Sequence, residues 1–187
     1  TLDDIAVWQD TPGWTADNRP AAWLPAARAA VDYSARFTTL IPSLARTPLV
    51  WGAYQSRAAV ATDSGARPLD WEAVQAAAAA ESWSALAGGS ADWRFVKLAF
   101  PRPDQSMAGL AALFTAAADY ANAASVTGSA LRDSAFRAWL EPVIASVPNF
   151  QTLGADPAAA MARGPSTVEI ALLPESLWLN NLRGLTG

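Results

Sequence analysis

The residues best placed to do chemistry in this sequence stand in a turn between a short apolar segment and a long alanine-rich one. The turn reads Pro103-Asp104-Gln105-Ser106-Met107. Proline ends the extended segment, and Asp104 or Ser106 can cap a helix that begins near Met107. The first N–H groups of a helix have no intrahelical partner, and together with the helix dipole they suit a carboxylate, a phosphate or another oxyanion. The turn predicts either an anion-binding helix start or a simple cap.

The other side chains able to do chemistry are carboxylates, because the sequence contains no histidine and no cysteine. Their absence excludes a Ser-His-Asp relay, a thiol nucleophile and the commonest zinc ligands. Glu141, Glu169 and Glu175 adjoin apolar residues, which can favour a general acid. Each is equally compatible with a solvated helix or strand end. We therefore expect a protein that is not an enzyme, with a carboxylate enzyme as a minor alternative.

Charge excludes further classes of partner. The chain has 13 Lys and Arg against 17 Asp and Glu, a net charge of -4, whereas nucleic-acid binding needs a basic stripe. Nucleic acid is therefore excluded as a partner.

The sequence also lacks the patterns of a metal site and of a membrane span. Asp3, Asp4 and Asp10 lack glycines at the spacing of calcium-binding loops, so we predict no metal site and no cofactor. No apolar run approaches the roughly 20 residues of a membrane span.

Nine tryptophans are spread along the chain rather than clustered. A carbohydrate platform would need several exposed rings on one face. Trp71, Trp139 and Trp178 instead stand at helix-like apolar spacing. We expect these rings to pack in the core or between elements.

The elements that must position the turn alternate between short apolar runs and helical patterns. The pattern predicts strands over 47–54, 94–100 and 167–173, and helices over 20–34, 56–61, from Asp70 onward, over 107–121, over 131–140, up to Arg163 and from Pro174 onward. This alternation, without a hairpin signal, predicts an α/β three-layer sandwich with a mainly parallel sheet. Such sheets bind ligands at the carboxyl ends of their strands, here after Val50, Phe100 and Leu173.

Four segments, 45–51, 68–71, 103–110 and 168–177, also occur in an order and spacing that resemble a known family. The family is the type II class of periplasmic and extracellular solute-binding proteins. The likeness is to the substrate-binding-like domains of bacterial surface proteins that carry a von Willebrand factor A module. Segment 103–110 resembles the family's Pro-x-x-Ser-x-x-Gly-Leu helix start. The resemblance implies a type II lobe that, with a second lobe, closes on a small solute.

On this resemblance, residues 1–44 are a crossover and partial first-lobe segment with one helix, and 45–187 are the second lobe. The rest of the first lobe would lie upstream of Thr1. Ser106 takes the place of the ligand-contacting serine of the family. Gln105 and Met107 adjoin it, and Trp51 and Glu175, at the turns after the other two strands, complete the predicted ligand-binding set. Asp104 departs from the family pattern, and its carboxylate would repel an oxyanion.

The predicted function is thus non-catalytic binding of a small solute. The free N–H groups at the helix start favour an anionic solute. The resemblance implies an extracytoplasmic location, secreted or membrane-anchored in the full-length protein, and a membrane permease or a covalently linked domain as partner. The alternative is an interaction or sensing module of a larger surface protein. Such a module would have kept the fold, lost the ligand and docked through tryptophans such as Trp14 and Trp93.

Overall fold

The computed structural model describes residues 46–104, 106–148 and 156–185. In this part of the chain the strands are β1 (Leu49–Ala53), β2 (Leu98–Ala99) and β3 (Ile170–Pro174). The helices are α1 (Gln55–Ala61), α2 (Trp71–Ala78), α3 (Met107–Tyr120), α4 (Ser134–Ala145), α5 (Pro157–Met161), α6 (Glu175–Asn180) and α7 (Leu182–Leu185). Short 3-10 helices lie at Trp83–Ala85, Ala91–Trp93 and Ala130–Arg132. The segment 1–44, with the helix predicted over 20–34, lies outside the described residues.

The sheet has the strand order β1-β3-β2, with β3 in the centre. β1 runs antiparallel to β3, so that Leu49 opposes Pro174 and Ala53 opposes Ile170. β2 runs parallel to β3, with Leu98 opposite Ile170. The predicted combination of helices and strands in an α/β fold is confirmed. The prediction of a mainly parallel sheet is wrong for these strands, because the lack of a hairpin excludes antiparallel pairing only between neighbours in sequence.

Four of the α-helices in the described residues begin at side-chain caps. The caps are Asp70 for α2, Ser106 for α3, Asp133 for α4 and Asp156 for α5. Each side-chain oxygen accepts a hydrogen bond from a backbone N–H in the first turn, which would otherwise lack a partner. The predicted cap of α2 is confirmed. Of the two caps considered for α3, the structure uses Ser106.

The core lies around β3, whose first four residues are buried. Trp71 is 5% exposed and packs edge-on against Trp51, with ring centroids 5.0 Å apart, and against Phe100 at 6.2 Å. Trp139 and Trp178 are partly buried against the same core. The prediction that these tryptophans serve packing is confirmed.

A carboxylate lies inside this core. Glu169, directly before β3, is 0% exposed. Its Oε1 accepts hydrogen bonds from Nε and Nη2 of Arg57 at 2.9 and 2.8 Å. Its Oε2 accepts one from Nε1 of Trp83 at 2.8 Å and lies 3.2 Å from Nζ of Lys97. Both oxygens of the buried charge are thus compensated by hydrogen-bonding and cationic groups.

The ring of Trp93 and two backbone hydrogen bonds add to the contacts around Glu169. The guanidinium of Arg57 lies 3.9 Å above the ring of Trp93. The backbone N–H of Glu169 donates to the carbonyl of Lys97 at 2.8 Å, and that of Tyr54 donates to the carbonyl of Glu169 at 3.2 Å. We call these five residues the Glu169 cluster: Glu169, Arg57, Lys97, Trp83 and Trp93. It joins the start of β3 to α1 and to the segment that enters β2.

We expect Glu169→Gln to lower the free energy of unfolding by about 3–5 kcal/mol, the range for breaking a buried ion pair. The substitution keeps the shape of the side chain but leaves two cations without their counter-charge. Urea unfolding monitored by tryptophan fluorescence measures the difference.

The matched control for that change is Asp104→Asn, which removes a carboxylate from the exposed pair with Arg102. Exposed pairs contribute little, so the unfolding midpoint of this variant should stay at the wild-type value. Midpoints that shift equally in both variants would contradict a structural role for the Glu169 cluster.

Candidate functional site

The parallel pairing of β2 with β3 brings two of the predicted site positions to one edge of the sheet. α3 starts after β2 and α6 starts after β3, so Ser106 and Glu175 both follow the carboxyl end of a strand at this edge. β1 begins here as well, because Leu49 opposes Pro174. The turn after β1 lies at the opposite edge. Two of the three predicted turns thus lie at the same edge of the sheet, and the third lies at the opposite edge.

Ser106 serves the start of α3 directly. Its Oγ accepts a hydrogen bond from the N–H of Gly109 at 3.0 Å, and its own N–H donates to the carbonyl of Arg102 at 3.0 Å. Met107 is 8% exposed and belongs to the core, so its side chain packs against the protein. Gln105, the third predicted ligand residue of this turn, lies outside the described residues.

Gly109 marks a close approach between α3 and the turn before it. A Cβ added there would stand 2.3 Å from the carbonyl oxygen of Arg102 and 2.4 Å from that of Pro101. The first turn of α3 is therefore pressed against two backbone carbonyl groups. These oxygens carry partial negative charge beside the positive end of the helix.

Arg102 and Asp104 form an ion pair beside this helix start. Nε of Arg102 lies 3.0 Å from Oδ1 of Asp104, and Nη2 lies 2.5 Å from Oδ2. Hydrogen bonding to the guanidinium lowers the pKa of Asp104 and raises the pKa of Arg102. The carboxylate that departed from the family pattern is thus paired with a neighbouring cation.

The start of α6 is occupied by the segment that enters β1. The N–H of Glu175 donates to the carbonyl of Pro48 at 2.9 Å, and the N–H of Ser176 donates to Oγ1 of Thr47 at 3.4 Å. The side chain of Glu175 is exposed. The first two backbone donors of this helix therefore already have protein partners.

Trp51 lies within β1 and contacts the core rather than a cleft. Its ring is partly buried against Trp71. Next to it, Gly52 lies under the ring of Trp178, which an added Cβ would approach to 2.6 Å. Nε1 of Trp178 also donates to the carbonyl of Val50 at 2.9 Å. Sequence reasoning missed this contact, although a glycine inside a strand signals a close approach.

A depression of about 370 Å³ lies where the start of α2 meets the end of α3. Its lining consists of Trp71, Thr115, Ala118, Asp119, Asn122, Ala123 and Ala124. Nε1 of Trp71 donates to Oγ1 of Thr115 at 3.0 Å. Burial and the nearby charges of Asp70 and Glu72 raise the pKa of Asp119. We call this surface the acidic depression; sequence reasoning missed it because two separate helices form it.

Glu169 and Glu175, two of the three carboxylates considered as acids, lie too far apart to form a catalytic pair. Glu169 lies before β3 and Glu175 after it, so the strand separates them by roughly 17–20 Å at about 3.3 Å per residue. Acid and base in glycoside hydrolysis stand about 5–9.5 Å apart. Glu141 is exposed on α4.

Two features are absent from the described part of the chain. It contains no group of three or more His, Cys, Asp or Glu side chains arranged to hold a metal ion. None of its helices is long and apolar enough to cross a bilayer. Comparisons of the whole chain with protein families, characterised proteins and solved structures give no significant match.

We expect Gly109→Ala to destabilise the protein, because the new methyl group would meet two rigid backbone carbonyls. Overpacking of this kind costs about 1–3 kcal/mol, and relief here requires α3 to move. Gly128→Ala is the control, since a Cβ there meets nothing within 4 Å. Thermal unfolding should show a lower melting temperature only for Gly109→Ala. Equal melting temperatures for the two variants would contradict the close approach.

We expect Asp119→Asn to stabilise the protein at pH 7 by a fraction of a kcal/mol, since the side chain is largely solvated. The folded state raises the pKa of Asp119, so its ionised form opposes folding above that pKa. Below the ordinary value of 3.8 the carboxyl is protonated in both states and the effect disappears. Melting temperatures between pH 7 and pH 4 should converge as pH falls. Glu141→Gln controls for the loss of one charge, and an equal gain there would contradict the prediction.

Proposed function

We propose that this chain is a non-catalytic binding domain of an extracytoplasmic protein and that it holds a small solute at the start of α3. The parallel pair β2–β3 carries the proposal, because α3 leaves the carboxyl end of β2 with Ser106 as its cap. Open α/β sheets bind their ligands at this position. The helix dipole adds a field that favours an anionic group of the solute.

We also propose that the chain belongs to the family of type II solute-binding proteins. The sequence resemblance to the second lobe of type II solute-binding proteins supports a three-layer lobe that includes the described sheet. It also supports a permease or a covalently linked domain as partner. On this view, residues upstream of β1 contribute to the first lobe.

The environment of Glu169 supports a non-catalytic role. This buried carboxylate accepts hydrogen bonds from Arg57 and Trp83 and pairs with Lys97, so its oxygens are engaged within the protein. Glu175 lies beyond the other end of β3 and is exposed. A binding role needs neither group as an acid or a base.

The charges beside α3 narrow the class of solute. The carboxylate of Asp104 and the carbonyls of Pro101 and Arg102 disfavour a multiply charged oxyanion. The guanidinium of Arg102 and the helix dipole favour a carboxylate. A small zwitterion, with a carboxylate toward α3 and an ammonium toward Asp104, satisfies both requirements. An amino acid or a very short peptide has this chemistry.

An interaction module without a solute is the second candidate, and one observation favours it. The hydroxyl of Ser106 is bonded to Gly109 within α3, and the first amides of α6 are bonded to residues 47 and 48. Groups that contact the ligand in the resembling family are thus partly engaged by the protein itself. The domain would then act through its surface.

The deciding experiment is a thermal-shift screen of the 187-residue chain against amino acids, di- and tripeptides, sugars and oxyanions at fixed ionic strength. A ligand at 100 times its dissociation constant stabilises a protein by about 2.7 kcal/mol, which is a clear shift. We expect amino acids or short peptides to give it. The shift should persist in Asp133→Ala and vanish in Ser106→Ala.

The two variants are matched because each removes the side-chain cap of one helix, α4 or α3. Each therefore loses about 1 kcal/mol of stability for that reason alone. Only the additional, ligand-dependent shift reports on the site. A shift of equal size in Ser106→Ala would place the ligand elsewhere, and no shift with any compound would favour the interaction module.

A further inference from the structure

Phe95 projects from the segment that enters β2, and its side chain is 69% exposed. The residue before it, Arg94, has φ 58° and ψ -124°. This backbone region is one that glycine adopts readily and other residues avoid. Neighbouring contacts must therefore hold the turn in place.

Those contacts come from the Glu169 cluster. The N–H of Trp83 donates to the carbonyl of Arg94 at 2.8 Å, and the N–H of Arg94 donates to the carbonyl of Ala91 at 3.2 Å. Trp93, the residue before Arg94, stacks under Arg57 and packs edge-on against Trp83 with ring centroids 5.9 Å apart. These contacts hold a turn that carries two consecutive exposed side chains, a cation and an aromatic ring. We call these two side chains the Arg94–Phe95 knob.

The charge of the knob contrasts with that of the whole chain, which is -4. Within the described residues no carboxylate forms an ion pair with Arg94. Lys97 lies three residues further on, with 23% of its side chain exposed. Arginine and aromatic side chains that project from a rigid base are the usual anchors of protein interfaces.

The acidic depression has the complementary chemistry. Its lining combines Trp71 and three alanines with the polar side chains of Thr115, Asn122 and Asp119. Asp70 and Glu72 add negative charge close by. Across the described ranges, neither arginine nor lysine forms an ion pair with any of these three carboxylates. At about 370 Å³ the depression is at the lower end of the range for binding pockets, about 300–1,000 Å³, and suits one aromatic side chain.

We propose that the Arg94–Phe95 knob of one copy of this chain docks into the acidic depression of a second copy. Phe95 enters between the alanines, and the guanidinium of Arg94 meets the carboxylate of Asp119. Phe95 does not line the depression of its own copy, so the contact forms between copies. This inference is independent of the proposed solute site.

The two surfaces differ, so the contact is heterologous and does not close on itself as a two-fold dimer does. Each added copy leaves one knob and one depression available. Assembly therefore continues as concentration rises, and salt weakens it because exposed charges take part.

The test is sedimentation velocity of the 187-residue chain between micromolar and millimolar concentration at low salt. We expect the weight-average sedimentation coefficient of the wild type to rise with concentration, and the rise to shrink in 0.5 M salt. Phe95→Ser removes the knob, and Asp119→Arg repels it from the depression. Each variant alone should remain monomeric, with the melting curve of a folded protein.

Mixing the two variants distinguishes docking of the knob into the depression from other modes of self-association. The Asp119→Arg copy keeps its knob and the Phe95→Ser copy keeps its depression, so an equimolar mixture should form a 1:1 dimer and nothing larger. A wild type that stays monomeric at every concentration would overturn the proposal. So would self-association that neither variant reduces, or a mixture that stays monomeric while the wild type assembles.

Discussion

The buried carboxylate of Glu169 is the constraint on which the rest of the described fold depends. A charge in a core is tolerated only when its hydrogen bonds and its counter-charge are both supplied. Here Arg57 supplies them from α1, Trp83 from a 3-10 helix, and Lys97 from the segment before β2. Because these partners come from separate parts of the sequence, one mutual arrangement of β1, β2 and β3 satisfies them all.

The position of this cluster also separates the two proposed binding surfaces of the domain. It occupies the edge of the sheet where β2 and β3 begin and β1 ends, which leaves the opposite edge to the starts of α3 and α6. The proposed solute site lies at that opposite edge. The cluster edge holds a turn with an unfavourable backbone conformation and so displays Arg94 and Phe95. The cluster therefore supports the Arg94–Phe95 knob directly and lies away from the proposed solute site.

Features of the fold that depend only on neighbouring residues can be predicted from the sequence. Asp70 and Ser106 could be identified as caps because a cap depends only on residues within one helical turn. The direction of β1 could not be predicted, because its partner β3 follows more than a hundred residues later and no local pattern encodes that pairing. The sequence identifies Glu169 as a carboxylate among apolar residues, but its partners are distant in sequence, so a structural ion cluster cannot be distinguished from a potential acid. The acidic depression cannot be predicted from sequence for the same reason, because its lining residues come from two separate helices.

Glu169 anchors the fold through Arg57 and Trp83, and hydrogen exchange of their side chains tests this role most directly. NMR resolves the Nε–H of Arg57 and the Nε1–H of Trp83 separately from the backbone amides. If the cluster forms the centre of the fold, both protons will exchange only on global unfolding, as slowly as the most protected amides of β3. Exchange of either proton at the rate of a solvated side chain, while the β3 amides stay protected, would contradict the account.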